Sequence, residues 1–419
     1  MSSVTLDAIR AAKTRIKPHV LETYLRPSPS LQAALGAKAP VFLKTEMLQK
    51  TGSFKVRGAV NKVVSLVEAG KKPAHLVAAS AGNHAQAVAY IGQVLGIPST
   101  IVMPQNTPLI KAASTAEWGA KVVLHGALYD DAYNKALEIL EATPGAVYIH
   151  AYADEDIIIG QGTIGLEIHE QLKAFGVDEK SPLQVVIPCG GGGLISGAAT
   201  ALKALRPHVK VFGVVSEAAP AMAESFFAGK VVKAKGRPRS LAEGLAVKTV
   251  SELTFSHIKA KVDEMTIVDD DQVASAISFL LEKTKLVAEG AGAAGVAAAL
   301  SKLLKLDPNV PTVFVLCGGN IDLSRIAQVV DRSLVAEKRW WQLGVVIDDQ
   351  PGQLAQVSSL IAEKRGNIME VSHDRLTQEV EVGQTMLRYR IETRGLEHSE
   401  EIADHLTKAG YLIKEYSGE

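Results

Sequence analysis

From about residue 73 to 320 the chain alternates short apolar runs with longer stretches of helical period. The runs are HLVAAS, STIVMP, KVVLHG, AVYIHAY, LQVVIPCG, VKVFGVVSE, EMTIVDD and TVFVLCGG. Most are apolar throughout rather than alternating, as in strands covered on both faces. The segments between them are long enough for crossover helices, so the pattern predicts an α/β fold with parallel sheets. At the start, MSSVTLDAIRAAKTRIKPHV spaces its charges as an amphipathic helix does and has no apolar core of signal-peptide length.

After about residue 325 the pattern changes. RSLVAEKRWWQ is charged and then aromatic, and reads as a linker or docking segment with Trp340 and Trp341 as anchors. Beyond it LGVVID reads as a strand, PGQLAQVSSLIAEKRG as a helix, NIMEVSHDRL and EVGQTMLRYRIET as two alternating strands, EHSEEIADHLTKAG as a helix and YLIKEY as a strand. This βαββαβ order predicts a compact α+β unit. The expected domains are 1–325 and 341–419, joined by 326–340.

Composition narrows the partners. The 419 residues carry 45 Lys plus Arg against 45 Asp plus Glu, so no net charge recruits nucleic acid or an anionic membrane. The chain is 47% hydrophobic, which is globular, yet no apolar run is long enough to span a bilayer. Two cysteines, Cys189 and Cys317, are too few for a disulfide framework and suit a reducing cytoplasm.

Three strand ends are rich in small or polar residues: AASAGNH, PCGGGGL and LCGGN. In sheets of this kind ligands gather beyond the carboxyl ends of strands, so the three ends predict one shared site. Gly190, Gly191, Gly192 and Gly193 lie between a strand and a helix. There, successive backbone N–H groups can face one concavity with a helix N-terminus behind it, which suits a phosphate. A dinucleotide site is the rival, with Glu217 roughly where a ribose-binding acid would fall, but Ser196 stands where the third glycine is required. Ser80, Ala81, Gly82, Asn83 and His84 form a second turn, suited either to a carboxylate or to helix capping. Cys317 ends an apolar strand, where buried structural cysteines are common. Lys55 is the exception to the pattern: a long cation inside TGSFKVRGAV, which otherwise reads as the packed start of a helix. Lysines ordinarily sit on solvated faces. A desolvated lysine beside a phosphate cradle instead suits a Schiff base with an aldehyde, and an aldehyde that is also a phosphate monoester is pyridoxal 5′-phosphate.

TGSFKVRGA, SAGNHAQAVA, GQGT, GGGGL and CGGN, in this order, resemble the threonine dehydratases (threonine ammonia-lyases) of the fold type II pyridoxal-phosphate enzymes. The C-terminal DDQPGQLAQVSSLIAEKRGNI resembles an ACT regulatory domain. The resemblance implies a tryptophan synthase β-like catalytic part of two open parallel-sheet subdomains, the smaller and mobile one spanning about 52–152. It implies that Lys55 is the Schiff-base lysine and α-proton base, with the cofactor phosphate as leaving-group acid. Phe54 would flank the ring, Asn83 would meet its 3′-oxygen, and Gly190 to Gly193 with Leu194 would hold the phosphate. Cys317 would sit beside the pyridine nitrogen, and Ser80 to His84 would take the substrate carboxylate. The implied reaction is L-threonine to 2-oxobutanoate and ammonia, with L-serine to pyruvate beside it. Asp349, Pro351, Gly352 and Asn367 would lie near an amino-acid effector site, in a homodimer or homotetramer. A monovalent or divalent cation near Glu217 is compatible with the resemblance, although Ala221 and Ala223 stand where the other acids of a divalent site would fall.

Several readings compete. A serine dehydratase or racemase shares these motifs, but racemisation needs a second acid/base opposite Lys55, and where related racemases place a serine just before the Gly-Asn-His this chain has Ala81. A β-replacement enzyme would show Asn-Pro-Thr-Gly and Lys-Asp-Arg where this chain has Gln-Lys-Thr-Gly and Lys-Val-Arg. A protein acting chiefly as an amino-acid sensor would not need Lys55 and the glycine run. Biosynthetic and catabolic roles both fit, as does a purely structural C-terminal unit.

Overall fold

The computed structural model describes residues 3–234 and 240–415, in two units, 1–321 and 322–419. In the first unit β1 (Leu25–Pro27), β2 (Val41–Lys44), β7 (Leu183–Pro188), β8 (Val209–Ser216), β9 (Glu264–Val268) and β10 (Thr312–Val315) form a six-stranded sheet in the order β1-β2-β10-β7-β8-β9. Its strands are parallel except for the antiparallel β1–β2 edge. A smaller parallel sheet, inserted in the sequence between β2 and β7, runs β5-β4-β3-β6, from β3 (His75–Ala79), β4 (Ser99–Met103), β5 (Lys121–Leu124) and β6 (Ala146–Tyr148). All eight apolar runs read from the sequence are strands. The central ones, β3, β4, β7 and β10, are almost entirely buried, as double coverage requires.

Two strands, β1 and β2, precede the stretch where strands were expected. β2 is short, VFLK, and ends in a lysine that normally marks a surface. Lys44 is nevertheless fully buried, because its amine donates to Glu167 Oε2 at 2.6 Å and to the Thr23 carbonyl at 2.7 Å.

The long helix Glu155–Ala174 packs against the helices Lys55–Glu68, Leu6–Ile16 and Gly193–Leu205. It meets the Lys55 helix where Gly160 faces Gly58. A Cβ on Gly160 would lie 2.6 Å from the Arg57 carbonyl oxygen, so the close crossing requires glycine there.

The second unit has the expected βαββαβ order: β11 (Trp340–Asp348), helix Gln353–Glu363, β12 (Asn367–Asp374), β13 (Gln384–Glu392), helix Leu396–Lys408 and β14 (Leu412–Glu415). Its antiparallel sheet runs β12-β13-β11-β14. The end of YLIKEY, Tyr416, and residues 417–419 lie outside the described residues. The expected linker 326–340 is corrected here. Residues Leu323–Ala336 are a helix that packs on β11, with Val329 buried. Trp341 is 1% exposed and fills the unit's own core beside Val357, Leu387 and Ile402, so it anchors this core and is not free to dock elsewhere. Its neighbour Trp340 is half-buried. Among the described residues no helix is long and apolar enough to cross a membrane.

Candidate active site

Lys55 is the first residue of its helix, with Phe54 at the cap. The loop before it is sewn to the end of β10. Phe54 N–H donates to the Cys317 carbonyl at 3.0 Å, Gly319 N–H to Gly52 O at 2.9 Å, and Ser53 bridges to Gly318. Lys55 is half-buried as a residue, and its amine lies 5.2 Å from the Phe54 ring centre and donates to Ala151 O at 2.9 Å. Burial pulls its pKa down to about 8, while Cys317 and Glu289 pull the other way. That shift puts a large fraction of the amine in the neutral, nucleophilic form near pH 8.

The next residue after Ala151, Tyr152, lies against the glycine run. A Cβ on Gly191 would fall 2.4 Å from the Tyr152 ring, so the loop can pass only as glycine. Gly192 takes φ +89° and caps the helix Gly193–Leu205. The first-turn amides of that helix, Gly193 and Leu194 among them, have no intrahelical acceptor, which leaves them available to an anion. Lys55 and the cradle thus share the Ala151–Tyr152 segment as a common wall.

The second turn opens a helix. Ser80 Oγ accepts from Gly82 N–H at 3.2 Å and closes the turn, so its hydroxyl serves the backbone. Gly82 caps the helix Asn83–Leu95, leaving the Asn83 and His84 amides at its open end. His84 contributes only its amide. Its ring is buried, Nε2 bonds Ile149 O at 2.8 Å, and burial pushes its pKa down to about 3, so it is neutral.

Cys317 is buried, and desolvation lifts its thiol well above the ordinary value, so it stays a neutral thiol. Cys189, beside the cradle, is likewise held up to about 12 by burial.

Glu217 is exposed at the end of β8. Among the described residues no group of three or more His, Cys, Asp or Glu is placed to hold a metal ion.

The proposed effector residues do not converge within the chain. Asp349, Pro351 and Gly352 form the turn after β11, where Asp349 pairs with Arg375 at 2.8 Å. Asn367 starts β12 opposite Glu392, which in turn lies opposite Trp340 at the other end of the sheet. The strand length separates them, because each residue adds about 3.3 Å.

Three features escaped the sequence reading. Glu289 caps the helix Gly290–Leu300 and accepts from Asn83 Nδ2 at 2.7 Å. Burial raises its carboxyl to about 7. Its signal was a lone acid in the small-residue run LVAEGAGAAGVAAAL. His150 Nδ1 accepts the Tyr152 and Ala153 amides at 3.2 and 2.9 Å, which fixes the shared wall. Finally, Arg57, Glu46, Glu167 and Lys44 form a buried four-charge cluster behind Lys55. Arg57 bonds both oxygens of each carboxylate at 2.6–2.8 Å.

A lysine amine of lowered pKa and a glycine run that opens a helix share the Ala151–Tyr152 wall, an arrangement that suits pyridoxal phosphate. The sequence profile of pyridoxal-phosphate dependent enzymes matches residues 16–318, and the chain belongs to that family. An L-threonine ammonia-lyase of Thermotoga maritima is 44% identical over 411 residues, 98% of this chain and 99% of that one. A crystal structure of a threonine deaminase from T.th. superposes with a TM-score of 0.71 at 39% identity, covering 76% of this chain and 99% of that one. A maize serine racemase does so with a TM-score of 0.70 at 33% identity, covering 80% and 99%.

The residues present fit the cofactor. The glycine run and helix start suit its phosphate, Lys55 its aldehyde, and Cys317 lies close enough to Lys55 for the two to influence each other's charge. A neutral thiol cannot hold a ring nitrogen protonated as a carboxylate would. Cys317→Ser, which keeps a neutral donor, should therefore retain activity within about tenfold, the scale of a single hydrogen bond. Cys317→Asp should lose cofactor affinity or elimination selectivity. Steady-state 2-oxo acid formation and cofactor absorbance measure both, and an inactive but folded serine variant would count against this role.

Proposed function

We propose that the protein deaminates L-threonine to 2-oxobutanoate and ammonia, and also L-serine to pyruvate. The observation that carries this is the Lys55 amine on the wall shared with the glycine cradle, in a chain matched end to end by a threonine ammonia-lyase. Bound pyridoxal phosphate supplies an electron sink for the substrate α-carbon. The Lys55 amine takes the α-proton, and the Asn83 and His84 amides hold the substrate carboxylate. Ala81 offers no proton on the other face, which favours elimination over racemisation. The test is 2-oxo acid release from L-threonine and L-serine, with D-serine formation followed in parallel. Net racemisation faster than ammonia release would replace this reading with the racemase one.

The second unit supports a proposal of amino-acid control. β12 is an edge strand with Met369 and Val371 exposed, as suits side-by-side pairing of two copies in a homodimer or homotetramer. A bound effector changes activity only if it prefers one conformational state of the catalytic part. The helix Leu323–Ala336 belongs to the second unit, so the informative truncation ends at Ile321. Threonine kinetics of the full and truncated chains across isoleucine and valine titrations should differ, with only the full chain responding. Identical curves would make the unit structural. We place the protein in the cytoplasm, where its two free, buried thiols stay reduced. Isoleucine synthesis is the role that such control would serve.

A further inference from the structure

A chain of side-chain hydrogen bonds runs through Asn83. Asn320 Nδ2 donates to the Thr51 carbonyl and to Asn83 Oδ1, both at 2.8 Å. Asn83 Nδ2 donates to Glu289 Oε1 at 2.7 Å. The orientation of each amide follows from one fixed reference. A backbone carbonyl can only accept, so Thr51 O requires the NH2 end of Asn320 to face it. The same NH2 group then reaches Asn83, whose near atom must be its oxygen. The nitrogen of Asn83 is left pointing at the Glu289 carboxylate, and one of its two hydrogens has no partner among the described hydrogen bonds.

Two glycines make room for this chain. A Cβ on Gly52 would lie 2.2 Å from Asn320 Oδ1, and one on Gly318 would lie 2.3 Å from Glu289 Oε1. Both contacts are closer than real Cβ atoms show, so a side chain at either glycine would have to displace the Asn320 amide or the Glu289 carboxylate. Thr51 and Gly52 belong to the loop that carries Lys55, and Gly318 and Asn320 to the segment it is sewn to.

We infer that Asn320 and Glu289 are positioning residues that lock the Asn83 amide with its nitrogen, and not its oxygen, available to the cofactor. The inference rests on the reading that Asn83 meets the 3′-oxygen of pyridoxal phosphate. In the locked orientation Asn83 offers that oxygen a donor. Flipped, it would present a lone pair and repel it. Asn320 therefore controls the sign of a contact it does not itself make.

The test is a double-mutant cycle on the holoenzyme, read as the cofactor dissociation constant and the pH dependence of the bound cofactor's visible band. Asn83→Ala should weaken cofactor binding about 10- to 100-fold and move the band, as loss of a charge-assisted hydrogen bond does. Asn320→Ala should move both in the same direction, and the double variant should match Asn83→Ala alone, since Asn320 acts through Asn83. Should Asn320→Ala not fold, Asn320→Asp keeps the size, removes the donor and should give the same shifts. Independent, additive effects of the two substitutions would overturn the inference. So would an Asn320 variant that loses thermal stability but keeps the native band and affinity. If Asn83→Ala itself leaves both readouts unchanged, it is the contact between Asn83 and the cofactor that fails, and the inference falls with it.

Discussion

Lys55→Ala is expected to lower kcat for L-threonine on the order of 10⁴-fold or more while the protein stays folded, because one side chain is lost both as covalent partner and as base. Lys55→Arg should not restore activity, since a guanidinium does not give up its proton at working pH. A folded alanine variant that keeps most of its turnover would remove Lys55 from the reaction. The lowered pKa adds a second readout. Only the neutral amine attacks an aldehyde. The rate at which cofactor-free protein captures pyridoxal phosphate should therefore rise with pH and level off above about 8, where an ordinary lysine would still be climbing towards 10.5. A capture rate that keeps rising past about pH 9.5, as an ordinary lysine's would, would show that burial does not depress this amine.

The second large effect lies behind Lys55. Arg57→Ala is expected to cost about 3–5 kcal/mol of unfolding free energy, because it leaves two buried carboxylates facing one lysine. Arg57, Glu46 and Lys44 are each 0% exposed and Glu167 is 3% exposed, so water cannot replace the missing charge. Desolvation opposes the Arg57 charge, but Glu46 and Glu167 outweigh it and hold the guanidinium protonated. Arg57→Lys should recover only part of the loss. An ammonium cannot bridge both oxygens of two carboxylates as the planar guanidinium does. Denaturant unfolding measures the difference, and a loss under about 1 kcal/mol for the alanine variant would mean the cluster adds no more than a surface pair. The pH dependence has a definite sign. Desolvation would raise the Glu167 carboxyl, yet Arg57 and Lys44 draw its pKa below the usual 4.5. Its contribution is therefore fully present above about pH 4.5 and is lost as the pH falls through the lower folded value. Arg57 lies two residues after Lys55, so loosening the cluster should also weaken cofactor retention.

Much of this architecture is legible in the sequence. Strands covered on both faces must be apolar throughout, and strands joined through helices must run parallel, so eight of the parallel-sheet strands and the βαββαβ unit could be read from periodicity. The glycine run, the Ser80–His84 turn and the misplaced cation at Lys55 were legible because each breaks a local rule for a chemical reason.

What stayed hidden depends on partners far away in sequence. β2 ends in Lys44, and a buried lysine reads as a surface one until Glu167, 123 residues later, is beside it. The segment after residue 325 carries charges that suggest a linker, and only its packing on β11 makes it a helix of the second unit. Asn367 and the Asp349 turn sit at opposite ends of one sheet, which strand register decides and composition does not. Glu289 and Asn320 reach Asn83 across 206 and 237 residues. By itself the sequence determined most of the strands and helices, though not β1, β2 or the helix Leu323–Ala336, and which residues have reactive chemistry, since backbone preference and side-chain functional groups are local properties. Tertiary structure alone decided which of those groups meet, how far water is excluded from them, and therefore which are charged, because desolvation and hydrogen bonding depend on neighbours that the chain brings together only when it folds.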